Sequence, residues 1–213
     1  MQDVLNNLPQ IMAAYMVYLV AVLSPGPANL AIIGTSISQG RRAGMTIAAG
    51  VFAGSFTWAM SAALGLAALL NTYASLLEIL KIVGALYLMY LGYKALRSAM
   101  RKDETSIGFG PAAPQTAWQT FLRGYGIHLT NPKAIFGWVS FISLGLPTGA
   151  SLEAVAILVG GCLLTGFTTF MTYAILFSTP AALKGYKAAR RWIDGIMALL
   201  FGAAAFKLMT ARL

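Results

Sequence analysis

Residues 4–40 read VLNNLPQIMAAYMVYLVAVLSPGPANLAIIGTSISQG and contain no Asp, Glu, Lys or Arg. An uncharged run of this length exceeds the ~20 residues that cross the hydrocarbon core of a bilayer. Residues 43–77, 134–152 and 154–183 form three more such runs. Across the 213 residues 58% are apolar and 10% charged, against roughly 25% charged in a soluble globular domain. The mean hydropathy of +0.73 agrees. Fifteen Lys and Arg against six Asp and Glu give +9, which in a soluble chain would point to nucleic acid. The uncharged runs remove the soluble classes and that inference with them. The chain reads as an all-α, multi-span protein of the lipid bilayer.

Six apolar segments follow, at about Gln10–Ile37, Ala43–Leu70, Ser75–Leu96, Trp118–Leu146, Leu152–Ser178 and Trp192–Met209. They leave no room for a folded soluble domain, so residues 1–213 read as a single membrane domain. Residues 98–117 hold Arg101, Lys102, Asp103 and Glu104 and then Gly108, Gly110, Pro111 and Pro114, the composition of a polar linker between halves at about 1–97 and 118–213. A removable signal peptide is not expected, because Asp3 rather than a basic segment precedes a first apolar stretch longer than a signal's core.

Basic residues orient the bundle, because Lys and Arg are retained on the cytoplasmic side. Arg41 and Arg42, then Lys94, Arg97, Arg101, Lys102 and Arg123, then Lys184, Lys187, Arg190 and Arg191 fall on the odd-numbered connections. Only Lys81, Lys207 and Arg212 fall on the other side. Both termini are therefore expected outside the cytoplasm. Lys133 belongs to neither surface.

The two halves echo each other. Ser24-Pro25-Gly26-Pro27 interrupts the first span and Thr130-Asn131-Pro132-Lys133 the fourth, while glycines recur in order in the second and fifth and in the third and sixth. With three spans per half, the second copy enters the membrane from the opposite side. This is a 3+3 inverted-topology repeat with broken first and fourth helices, an arrangement common in secondary transporters.

Proline lacks an N–H and collides with the carbonyl four residues back, so Pro25 and Pro27 should free the carbonyls of Ala21 and Leu23, and Pro132 that of His128. Residues before proline leave the helical region, which applies to Ser24, Gly26 and Asn131. Irregular backbone at membrane depth persists where it is buried or lines a cavity, so two mid-span breaks point to one central site. New helix N-termini near Pro27 and Pro132 favour an anionic group. Lys133 lies in the first turn of one of them, about ten residues or ~15 Å of helix beyond Arg123. At that depth a lysine costs ~2.5–3.5 kcal/mol. Either a carboxylate ligand offsets this, or Lys133 bonds freed carbonyls across the bundle.

Ser24, Asn29 and Asn131 supply further polar groups for an amino-acid ligand, Asn29 serving equally as an amide that bridges the helix break. His128 reads as a packed, hydrogen-bonded residue or as a proton carrier. Thr165, Thr168, Thr169 and Thr172 share i, i+3, i+4, i+7 spacing. They line a pathway or bond back to their own helix. Gly50-x-x-x-Gly54 permits close helix approach, within one chain or in a homodimer. Glu78 and Lys81 read as a paired, solvated end. No acid is expected at mid-depth, so coupling to an ion falls to Lys133, His128, the substrate, or a span-end acid such as Asp194, whose other reading is a favourable acid in a helix's first turn. One His excludes a His-rich metal site, and the lone Cys162 excludes an intrachain disulfide or a thiol pair for electron transfer. No cofactor and no catalytic group is expected. Competing readings, an intramembrane enzyme or electron carrier and a non-transporting scaffold, draw less support from these residues.

Along essentially its whole length the chain resembles the LysE/RhtB family of bacterial amino-acid exporters. The resemblance is carried by Leu23-Ser24-Pro25-Gly26-Pro27, by Asn131-Pro132-Lys133-Ala134, by Gly84-x-x-Tyr87-Leu88-x-x-x-Leu91-Gly92, and by Trp192-Ile193-Asp194-Gly195. It implies an inner-membrane exporter of amino acids or their derivatives, driven by the proton motive force and most similar to the threonine and homoserine branch. Two positions depart from the family pattern: Ala28 follows Pro-Gly-Pro, with Asn29 next, and His128 stands where Asn is common. Both bear on substrate.

Overall fold

The computed structural model describes residues 7–24, 26–70, 74–100, 115–146 and 150–210. Pro25, most of the polar linker and the side chains of Glu78 and Lys81 lie outside the described residues, and the expectations attached to them with it. Seven helices run through the described residues: α1 (Leu8–Leu23), α2 (Pro27–Leu70), α3 (Ala74–Met100), α4 (Ala117–Leu129), α5 (Pro132–Gly145), α6 (Leu152–Leu176) and α7 (Pro180–Thr210).

The apolar segments map onto these helices with instructive differences. The first segment is α1 plus the start of α2, and the fourth is α4 plus α5, so both are broken where the prolines fall. Within α2, Gly40 has φ 84 and ψ 176, a backbone state that glycine reaches without a Cβ penalty. The chain folds back there. A Cβ on Gly44 would lie 2.1 Å from Ser36 Oγ, whereas eight residues of straight helix span about 12 Å. The sixth segment begins twelve residues earlier than hydropathy indicates, because α7 continues back to Pro180 through a charged stretch. Asp194 is therefore in the middle of a helix, and its first-turn reading is wrong.

Small residues set the closest helix contacts. A Cβ on Gly50 would lie 2.0 Å from the Phe121 carbonyl oxygen, one on Gly124 2.3 Å from the Ile47 carbonyl oxygen, and one on Gly54 2.8 Å from His128 Cβ. These glycines let α2 and α4 meet backbone to backbone. The Gly50-x-x-x-Gly54 pair is thus consumed inside the chain, and the homodimer reading loses that basis.

The core is built from Tyr18, Ile32, Ile47, Leu88, Trp138, Phe141, Leu158 and Phe201. Trp138 and Phe141 pack their rings against Tyr18, joining α5 to α1. On the outside, Leu64, Leu152, Leu164, Leu199 and Phe206 are exposed. So much large apolar surface facing outward is what contact with lipid demands. Trp118 and Trp192 are exposed as well.

Candidate functional site

The first break is held open by side chains. α1 stops at Leu23, Ser24 is extended at φ −66 and ψ 139, and α2 starts at Pro27. Gly26 has no positive φ, and a methyl there would meet Lys133 only at ordinary contact distance. A Cβ there would sit 3.4 Å from Lys133 Cδ and Nζ. The carbonyls left without helical partners are taken up across the bundle. Tyr173 Oη donates to the Leu23 carbonyl at 2.9 Å. Asn29 Nδ2 donates to the carbonyls of Val22 at 2.8 Å and Ser24 at 3.0 Å. Asn29 thus follows its bridging alternative. Of the two expected carbonyls, only that of Leu23 is among those satisfied in this way.

The second break has a tighter cap. Asn131, extended at φ −79 and ψ 110, accepts the Lys133 backbone N–H on Oδ1 at 3.1 Å, with Pro132 at the first helical position of α5. This is standard N-cap chemistry. The His128 carbonyl, expected to be free, accepts the Asn131 backbone N–H at 3.2 Å. Trp58 Nε1 donates to the Leu129 carbonyl at 3.2 Å.

Lys133 joins the two breaks. Its Nζ donates to the Ser24 backbone carbonyl at 2.8 Å, the cross-bundle alternative of the sequence reading. A hydrogen bond from a charged donor contributes about 1.5–3 kcal/mol, comparable to the burial cost it must offset. Two cavities meet at this point. The larger, about 430 Å³, is lined by Ser24, Pro27, Tyr87, Lys94, Arg97 and Asp194, and the smaller, about 50 Å³, by Tyr18, Ser55, His128, Trp138 and Phe170. Gly26, Asn131 and Lys133 line both.

Asp194, the span-end acid named as a coupling candidate, is buried in the middle of α7. It is 3% exposed and accepts a hydrogen bond from Ser98 Oγ at 2.7 Å. It lines the larger cavity together with Lys94, Arg97 and Lys133, so three cationic side chains share that lining with one carboxylate. Such a cavity favours an anionic group. Tyr87, Tyr90, Lys94 and Arg97 were not singled out as site residues. Their spacing of three and four along α3 marks one helix face and could have revealed them.

His128 is 6% exposed, and neither ring nitrogen has a hydrogen-bond partner among the described residues. Leaving buried polar groups unpaired costs about 1–3 kcal/mol, so the packed, hydrogen-bonded alternative does not describe it. The threonines of α6 divide. Thr165 pairs with Tyr15 and Thr169 is buried, but Thr168 and Thr172 are exposed, and Thr168 bonds back to the Leu164 carbonyl. None of the four lines either cavity.

A family model described as LysE type translocator matches residues 19–212. The chain belongs to the LysE family. A threonine efflux protein of Salmonella typhi is 32% identical over 197 residues, covering 92% of this chain and 96% of that protein. The threonine efflux protein of Escherichia coli K12 is 31% identical over the same extent. A leucine efflux protein of Enterobacter sp. strain 638 is 33% identical over 210 residues, covering 96% of this chain and 95% of its own. No solved structure matches. Membership in LysE makes the chain a helical membrane protein, as its uncharged runs and apolar exterior require.

Proposed function

We propose that this chain is a secondary transporter that exports an amino acid or amino-acid derivative, threonine- or homoserine-like or another neutral or basic one, across the bacterial inner membrane. The observation that carries the reading is Lys133, held at the meeting point of two helix breaks and shared by two cavities. The substrate carboxylate pairs with Lys133 beside the N-termini of α2 and α5, whose backbone dipoles favour negative charge. The Ser24 carbonyl, released by Lys133, accepts from the substrate ammonium. Relatives named for threonine and leucine efflux support this substrate class.

In this reading residues 1–213 form a single transport domain of six spans, a 3+3 inverted repeat with halves at about 1–97 and 118–213. The halves rock around the breaks in alternating access, with no chemical conversion. The excess of Lys and Arg on the odd-numbered connections supports cytoplasmic placement of those connections and external termini. The larger cavity, flanked by Lys94 and Arg97, then opens toward the cytoplasm. Protons are the coupling ion, and Asp194, buried against the same cavity, carries the proton.

The test is substrate flux. Purified wild-type protein in proteoliposomes should exchange labelled amino acids, and Lys133→Ala should abolish exchange while remaining folded. A non-transporting scaffold predicts no flux and no dependence on Lys133.

A further inference from the structure

We propose that the smaller cavity receives the side chain of the transported amino acid and that His128 selects a hydroxyl-bearing side chain over an apolar one of the same shape. The inference rests on the export reading above and adds to it the residue that discriminates among substrates.

Position comes first. Lys133, Gly26 and Asn131 line both cavities, so a ligand whose carboxylate sits at Lys133 has its side chain beside the smaller one. Size comes next. A volume of about 50 Å³ holds roughly two or three water-sized groups, which fits a short side chain.

The lining then decides the chemistry. Its walls are largely apolar, with Val22, Trp138 and Phe170 among them. Among the other polar residues, Asn29 Nδ2 holds two carbonyls, Asn131 Oδ1 caps α5, and Ser55 Oγ accepts the Trp138 indole N–H at 3.2 Å and stands beside the Tyr18 hydroxyl. His128 has both ring nitrogens buried and, among the described residues, without a hydrogen-bond partner. Its backbone side is pressed against Gly54, and its ring meets Phe170 edge-on at 5.9 Å. A neutral imidazole offers one donor and one acceptor. It can therefore bond a hydroxyl in either sense, while a methyl leaves it unpaired. A site whose buried polar group is satisfied only by the correct ligand rejects the analogue that lacks the bonding atom.

The experiment uses pairs of matched shape, threonine with valine and serine with alanine, as competitors for counterflow in proteoliposomes. The wild type is expected to favour the hydroxyl member of each pair by about tenfold. His128→Leu should bring that ratio close to one, and His128→Asn, which keeps a donor and an acceptor, should retain most of it. Equal wild-type use of both members overturns the proposal. So does a His128→Leu protein that keeps the preference, or one that loses transport of both members in equal measure, as a purely structural or water-filled pocket would require. If His128→Leu does not fold, the wild-type ratio and its retention in His128→Asn decide the matter. A wild type that moves no amino acid overturns the export reading, and this subsite falls with it.

Discussion

Lys133 Nζ and the Ser24 carbonyl lie 2.8 Å apart although 109 residues separate them in the chain. That bond ties the break before α2 to the break before α5, so moving one break away from the other costs its contribution of about 1.5–3 kcal/mol. A ligand carboxylate that draws Lys133 away from Ser24 would release both at once, which is the coupling between binding and movement that alternating access needs.

Lys133→Ala is therefore expected to abolish exchange, and Lys133→Arg to restore only part of it, because a planar guanidinium presents its donors differently from a compact ammonium. Initial rates of counterflow, compared at equal reconstituted protein, measure this. Wild-type rates in Lys133→Ala would remove Lys133 from the site.

Asn29 has a structural role that can be separated from transport. Its amide satisfies the carbonyls of Val22 and Ser24. Asn29→Leu leaves two buried acceptors without this donor, at a cost of about 1–3 kcal/mol for an unsatisfied group. Thermal unfolding in detergent should show a clear fall in Tm. An unchanged Tm would mean that the break is held by other contacts.

Glycine substitutions should sort by what their Cβ would meet. Gly50→Ala drives a methyl into the Phe121 carbonyl, a backbone atom that cannot swing aside, whereas nothing lies within 4 Å at Gly160. Gly50→Ala should lower Tm sharply. Gly160→Ala should be neutral or stabilise by up to about 1 kcal/mol through helix propensity. Equal effects at the two sites would contradict the close α2–α4 contact.

Asp194→Asn separates coupling from binding. Counterflow needs no net proton movement, so the variant should keep exchange while losing accumulation driven by a pH gradient. Retained gradient-driven accumulation would move the coupling role to another group.

Topology has its own reading. A periplasm-dependent reporter enzyme fused after Leu213 should be active, and one inserted between residues 104 and 111 inactive. The reverse pattern would invert the proposed orientation.

Much of the site was legible before folding because its signals are local and costly. A proline cannot continue a helix from the residues before it without kinking or breaking it, and Ser24 and Asn131 are extended just ahead of their breaks. Lys133 stood out as the basic residue belonging to neither surface. Asp194 was misplaced for an equally physical reason. Hydropathy marks what dissolves in hydrocarbon, whereas a helical backbone can continue through a charged interfacial stretch, as α7 does from Pro180.

The sequence alone determined the medium and the breaks, since transfer free energy and missing N–H groups depend on residue type and order. Tertiary structure alone decided the partners. The Leu23 carbonyl is met by Tyr173 from 150 residues away, Lys133 crosses to Ser24, and His128 is buried beside a pocket without a hydrogen-bond partner among the described residues. Those outcomes depend on which helix faces meet, and contacts between distant segments leave no trace in local composition.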